Sequence, residues 1–319
     1  MENNILDIKN LHNIIIDKLY ECGCVIIFIK HINKNPLEIT VKYNNNELNL
    51  RIFIWNITHG GKTRSEDEFR VQIKIPKNYS LNYNDILLGW YRDEVFVGYD
   101  TSKHLKPAWS SSLQIKKSIL EEAYKKGYKT YENKNDETVI AFNPYYLGIY
   151  IENHKEIHSI IEENSLTKKD VNNVNDIISE RKIIYQTIKK KIRAADFRKK
   201  VLGAYSNKCC FCNLQLNITE AAHILPVSQE KSSDEVQNGI CLCPNHHKAY
   251  DYGLIYINEK YQIISNKEYI KKLKCLKLDG GLEEFIKNTR SIILLPNNKK
   301  DYPNTDYIKS ANKCRLNAV

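Results

Sequence analysis

Four residues in the last third of the chain have the types and spacing of a closed metal site. Cys209 and Cys212 stand in C-x2-C spacing, and Cys243 and His246 in C-x2-H spacing. Two such knuckles supply four soft-to-borderline donors, the set that a tetrahedral structural zinc requires. Cys210 and Cys241 adjoin these ligands and are the alternates, although the C-x2-C spacing favours Cys209 over Cys210. Interleaved with the knuckles are His223, Asn238 and His247, which the zinc set leaves over. An imidazole titrating near neutral pH is suited to take a proton from water, and a divalent ion on another imidazole is suited to neutralise a departing oxygen.

The order and spacing of that trio, H-x14-N-x8-H, resemble the catalytic frame of the HNH (ββα-metal) nuclease superfamily. The words around it, Glu220-Ala221-Ala222-His223-Ile224-Leu225-Pro226 and Asn238-Gly239-Ile240-Cys241-Leu242-Cys243-Pro244-Asn245-His246-His247, resemble the restriction-type branch with zinc knuckles. The resemblance covers residues 193–257. It implies that His223, on a first strand, is the general base, and that Asn238 fixes the loop that orients it. His247, at the start of a helix initiated by Pro244-Asn245, would ligate Mg2+ or another divalent cation. The zinc would hold the ends of this hairpin-and-helix unit together, because so short a fold has little core of its own. One position departs from the family pattern: the residue before the base, often an Asp or His ligand, is Ala222. The first candidate to replace it is Asp251, four residues after His247 and therefore on the same helical face. Asp234 and Glu220 are further candidates. Asn213 stands after the first knuckle where glycine is common, and asparagine tolerates the left-handed conformation needed there.

A basic segment leads into this region. Residues 181–208 carry ten basic side chains and one acidic, net +9 out of +10 for the whole chain. Ile184, Ile188, Ile192, Phe197, Val201, Leu202 and Tyr205 recur mostly at three- to five-residue intervals, which predicts a helix. Lys189, Lys190, Lys191, Arg193, Arg198, Lys199 and Lys200 fall largely on other faces. Most such charge runs are solvated surfaces; one that feeds directly into a nuclease motif is read as a phosphate-backbone contact.

Residues 1–150 alternate apolar and polar positions in short runs, at 37–43, 51–57, 69–75 and 94–99, and predict a strand-rich domain. Amphipathic stretches at 5–20 and 112–126 predict helices, so the expected class is α+β: a strand-rich α+β domain, then a zinc-stabilised ββα-metal domain. Residues 151–180, rich in Asn and acids, read as a linker, with the basic helix and nuclease domain in 181–319. Within the first domain, a Gly60-Gly61 turn joins two strand-like runs beside Thr58, His59, Lys62, Thr63, Arg64, Arg70 and Gln72. The word Gly61-Lys62-Thr63 is not a phosphate-binding loop, since position 56 is Asn56 and no helix is predicted after it. His59, Lys62, Arg64, Arg70 and Gln72 remain candidate readers of base edges and phosphates, against the alternative of a polar hairpin with internal Arg/Glu pairing.

The chain has 319 residues, enough for about two domains. Its start lacks a basic leader and its longest apolar run, Val25-Ile26-Ile27-Phe28-Ile29, is far short of a bilayer span, which predicts a cytoplasmic protein without membrane contact. Of nine cysteines, four or five cluster at metal spacing, which favours reduced thiols and zinc over disulfides. Cys22 and Cys24 read as buried thiols, and Cys275 and Cys314 carry no pattern. The expectation is a DNA endonuclease acting on double-stranded DNA in defence against foreign DNA, as a monomer or homodimer, with zinc for structure and a divalent ion for catalysis. Two rivals are a defence effector whose first domain senses a ligand or protein, and a non-catalytic zinc protein that binds nucleic acid.

Overall fold

The computed structural model describes residues 5–30, 33–61, 64–80, 82, 84–92, 94–108, 110–133, 137–159 and 174–316. The chain divides into two compact units, Met1–Ile192 and Arg193–Val319.

The first unit is α+β. Its elements are α1 (Ile8–Glu21), β1 (Val25–Lys30), β2 (Leu37–Tyr43), β3 (Asn46–His59), β4 (Glu68–Lys74), β5 (Asp85–Tyr91), β6 (Val95–Tyr99), α2 (Thr101–His104), β7 (Ser110–Lys116), α3 (Lys117–Lys126), β8 (Tyr128–Glu132), β9 (Thr138–Phe142) and α4 (Leu147–Ser159). The main path of the sheet runs β1-β2-β3-β5-β6-β9-β8, with β4 and β7 branching from β3. β3 makes the branch because it is long: residues 51–56 lie parallel to β5, and residues 57–59 pair antiparallel with β4. β5 and β6 are buried at every residue, so their near-continuous apolar runs are covered on both faces. α1 packs on β3, and α3 and α4 pack on β9. Asp7 caps α1 by accepting a hydrogen bond from the Asn10 N–H at 2.8 Å.

The stretch 112–126 is not one helix. Its first part belongs to β7, where Leu113 and Ile115 alternate inward and the strand pairs with β4 from Glu68↔Lys116 to Lys74↔Ser110. Period-two burial and a serine-rich start outweigh the helical periodicity there, and the helix begins at Lys117. Residues 151–159 continue α4, and 160–173 lie outside the described residues. α5 (Val174–Ala204) carries the basic segment.

The second unit contains the end of α5, β10 (Glu220–His223), β11 (Gly239–Leu242), α6 (Pro244–Asp251), β12 (Ile255–Ile257), β13 (Ile263–Ser265), α7 (Lys267–Cys275), α8 (Leu282–Lys287) and α9 (Thr305–Leu316). β10 and β11 pair antiparallel from Glu220↔Leu242 to His223↔Gly239, and α6 follows at once, so 220–251 is a ββα unit. Phe197, Val201 and Leu202 of α5 join Phe211, Ile224, Ile240, Leu242 and Tyr250 in its core. The helix sits so close to the hairpin that a Cβ on Gly239 would stand 2.3 Å from Val201. Among the described residues, no helix is long and apolar enough to cross a membrane.

Candidate active site and metal centre

Local geometry assembles the first centre. The turn after Cys209 closes with Asn213 N–H donating to Cys209 O at 2.8 Å, and Asn213 takes φ +65°. On the other side Cys243 precedes α6, whose first turn, with Pro244 at its head, brings His246 back beside it. The ligand atoms of Cys209, Cys212, Cys243 and His246 lie within 4.8 Å of one another. The Cys243 Sγ–His246 Nδ1, Cys209 Sγ–His246 Nδ1 and Cys212 Sγ–Cys243 Sγ distances are 3.2, 3.7 and 3.9 Å. Zn–S bonds of about 2.3 Å and Zn–N bonds of about 2.0 Å in a tetrahedron would separate ligand atoms by roughly 3.5–3.8 Å. Donor set and spacing therefore fit zinc.

A residue that sequence spacing did not point to completes this centre. His246 Nε2 lies 3.0 Å from Thr289 Oγ1, and that hydroxyl donates its own proton to Phe285 O at 2.7 Å. Thr289 must then accept from His246 Nε2–H, which leaves the Nδ1 lone pair facing the thiols. Within the cluster, hydrogen bonding to the Cys243 sulfur pushes the Cys209 thiol up, while the same contact pulls Cys243 down. Cys243 is the readiest thiolate of the set. Cys210 and Cys241 are buried in the core beside the ligands.

The second centre lies on the open side of the same ββα unit. His223 ends β10, stacked on Phe197 with ring centroids 3.7 Å apart and planes 10° from parallel. Its Nε2 is 3.1 Å from Asp234 Oδ1. Asn238 is fully buried and clamps the intervening loop from both ends. Its Oδ1 accepts from Leu225 N–H at 2.8 Å; its Nδ2 donates toward Leu225 O at 3.2 Å, Ser232 Oγ at 3.1 Å and Ser233 O at 2.9 Å. A buried amide with all its hydrogen-bonding capacity engaged is a rigid anchor.

His247 sits between two carboxylates. Nδ1 is 2.5 Å from Glu220 Oε2 and Nε2 is 3.5 Å from Asp251 Oδ2. A neutral imidazole has one N–H, and the short contact assigns it to Nδ1. On a neutral ring the Nε2 lone pair would then face the Asp251 oxygen at 3.5 Å, a separation that a shared cation would fit. This donor set, imidazole plus carboxylate, suits a divalent ion with open positions. Glu220 contacts the other ring nitrogen, Nδ1.

The basic residues divide. Lys191 is engaged within the first unit by Glu152 Oε2 at 3.0 Å and Asn153 Oδ1 at 2.7 Å. Arg198 donates to Thr219 O at 3.3 Å and so braces the strand that leads to Glu220. Lys189, Lys190, Arg193, Lys199 and Lys200 are exposed. On the β3–β4 hairpin, His59 Nε2–H donates to Ser65 O at 2.9 Å, Arg64 lies 3.6 Å from Glu68, and Gln72 donates to Ser111 O at 3.1 Å. Arg70 pairs across from Thr58 in the ladder. His59 and Arg64 thus bond within the hairpin, Gln72 bonds to the neighbouring strand β7, Arg70 Nε is buried without a hydrogen-bond partner, and Lys62 lies outside the described residues.

Comparison with known proteins follows the same division of the chain. Residues 209–258 match the family model described as HNH endonuclease, and residues 48–151 match the one described as Methylase-associated X1. No curated protein matches. Among solved structures, a modification-dependent TagI restriction endonuclease is similar at 10% identity and a TM-score of 0.31, over 84% of this chain and 81% of that one.

Proposed function

We infer, from the HNH endonuclease domain that this chain carries at residues 209–258, that the protein is a restriction-type endonuclease hydrolysing phosphodiester bonds in double-stranded DNA. The observation that carries this reading is the ββα unit in which His223, Asn238 and His247 occupy the first strand, the buried clamp and the helix start. His223 is the base. As a water oxygen forms its bond to phosphorus and the bond to the departing sugar oxygen breaks, the water's proton passes to the imidazole. Asn238 keeps the loop beyond β10 closed around the base. His247 and Asp251 are the protein ligands of a divalent ion, with Glu220 holding the His247 ring by its other nitrogen. When bound, that ion supplies positive charge to the scissile phosphate and the leaving oxygen. Cys209, Cys212, Cys243 and His246 hold the structural zinc apart from this chemistry.

The first unit is the target reader, and a family described as methylase-associated supports reading its cue as base modification. The exposed cations of α5 hold the phosphate backbone without regard to sequence. The protein acts in the cytoplasm against foreign DNA. The test is digestion of modified and unmodified phage DNA by the purified protein, with Mg2+ and with a chelator. Cleavage restricted to one DNA and abolished by the chelator is the expected result. Indifference to modification, combined with dependence on an added cellular metabolite or protein, would make the first unit a sensor rather than a reader.

A further inference from the structure

We propose that Asp234 is the positioning residue of the base: it fixes His223 in the tautomer whose Nδ1 lone pair takes the proton, and its carboxylate balances the imidazolium that results. The proposal rests on His223 being the base, as argued above.

The geometry gives the direction of the bond. A carboxylate only accepts, so the 3.1 Å contact to Asp234 Oδ1 is donated by His223 Nε2–H, and the neutral ring keeps its lone pair on Nδ1. The ring has little freedom to escape this arrangement. Phe197 covers one face at 3.7 Å, and His223 lies opposite Gly239, whose missing side chain lets α5 approach. The loop that carries Asp234 is tied down immediately before it. The preceding residue, Ser233, offers its carbonyl to Asn238 Nδ2 at 2.9 Å and its hydroxyl to Tyr307 at 2.9 Å, and Ser232 Oγ contacts the same Asn238 amide. The buried asparagine thus acts on the base through the loop and through Asp234.

Asp234 was one of the acids available to replace the ligand missing at Ala222, and the structure separates the two roles. Among the described residues, the one set of three or more His, Cys, Asp or Glu ligand atoms that converge is the Cys/His cluster. Asp234 therefore does not converge with His247 and Asp251 on a common ion site, whereas it does meet the base. Both partners are partly exposed, 19% for the His223 side chain and 40% for Asp234. A contact so wet adds little to stability, and its value is orientational. An acid that orients a histidine base in this way stays ionised throughout and does not itself take the proton.

The test uses the full chain labelled with 15N-histidine, the variants Asp234→Ala, Asp234→Asn and Asp234→Glu, and His223→Ala to assign the resonance. Ring nitrogen shifts at mildly alkaline pH report the tautomer without any reference to activity. The expected result is a His223 signal of the Nε2–H form in the parent protein that becomes mixed or inverted in the Ala and Asn variants. Single-turnover cleavage of the DNA that the parent enzyme cuts should fall about 100-fold or more in both, with KM changed less than about threefold and activity partly restored in Asp234→Glu. Two results overturn the proposal: an unchanged tautomer in both variants, or Mn2+ binding weakened more than about tenfold by Asp234→Ala, which would make Asp234 a metal ligand. A tautomer that shifts as expected while His223→Ala cuts normally would instead overturn the base assignment and leave Asp234 orienting a histidine outside the chemistry.

Discussion

Two histidine-containing centres share the ββα unit and differ in nearly every physical respect. The Cys/His cluster is closed and soft: three of its four residues are buried and Cys212 is half-buried, and a threonine hydroxyl holds the far nitrogen of its histidine. The His223/His247 centre is partly exposed and hard, with carboxylates on three imidazole nitrogens. A closed set of four ligands leaves a metal no position for substrate, whereas imidazole and carboxylate facing solvent leave several. Adjacent residues, His246 and His247, serve the two centres because consecutive positions on α6 point in different directions, one into the core and one out of it.

Breaking the closed centre should have the largest effect. Apparent binding energies of structural zinc run to about 10–16 kcal/mol, whereas one fully buried aliphatic side chain contributes about 1.5–3 kcal/mol. Cys212→Ser should therefore unfold the second unit and release zinc, seen as lost cooperative melting of that unit and less than one zinc per chain by elemental analysis. Full retention of both would remove the structural role from the cluster. A mild chelator should separate the centres further: cleavage stops and returns with Mg2+, while zinc content and melting stay constant.

Breaking the open centre should cost rate and leave the fold. His223→Ala is expected to lower single-turnover cleavage by a factor of about 10²–10⁴ with melting temperature, zinc content and DNA affinity retained. A folded His223→Ala protein that still cuts would move the base elsewhere. Asn238→Ala joins the two effects, since it leaves the Leu225 N–H and the Ser233 carbonyl without their partner. Urea denaturation should report about 2–4 kcal/mol lost from the second unit, together with slower cleavage. Stability unchanged within error would mean that the loop holds itself.

The smallest effect is expected on the helix. Charge reversal at Lys190, Arg193 and Lys200 should weaken binding to cognate and random duplexes alike and flatten the salt dependence by roughly 2–3 units of log–log slope. Lys191→Glu should act differently, by breaking its pairing with Glu152 in the first unit. A loss confined to cognate DNA would make the helix part of the reader.

Legibility in the sequence tracked chain distance. The Cys/His quartet is readable because each half is a single local turn: Cys209 and Cys212 in one knuckle, Cys243 and His246 on either side of a helix start. Strand patterning was readable at 37–43, which coincides with β2, because one face is buried and the period is two. At 112–116 the same alternation, Leu113 and Ile115 between Ser112, Gln114 and Lys116, is too short to outweigh the helical pattern that follows it, and pairing with β4 decides for the strand. Residue type alone marks the candidate readers around the β3–β4 hairpin and says nothing of their partners, which are Ser65 for His59, Glu68 for Arg64 and Ser111 of β7 for Gln72.

Residue identity and spacing alone determined which groups stand ready for chemistry: a C-x2-C/C-x2-H quartet, a histidine, asparagine and histidine at set intervals, and a basic helix before them. What only the tertiary structure decided is which partner each histidine meets. Thr289 reaches His246 across 43 residues, Glu220 reaches His247 across 27, and Asp234 reaches His223 across 11. Local turns are dictated by a few neighbouring dihedrals and leave a mark in the sequence. Contacts that close a loop depend on the packing of everything between, here the buried Asn238 clamp and the close approach of Val201 to Gly239, and no spacing rule encodes them.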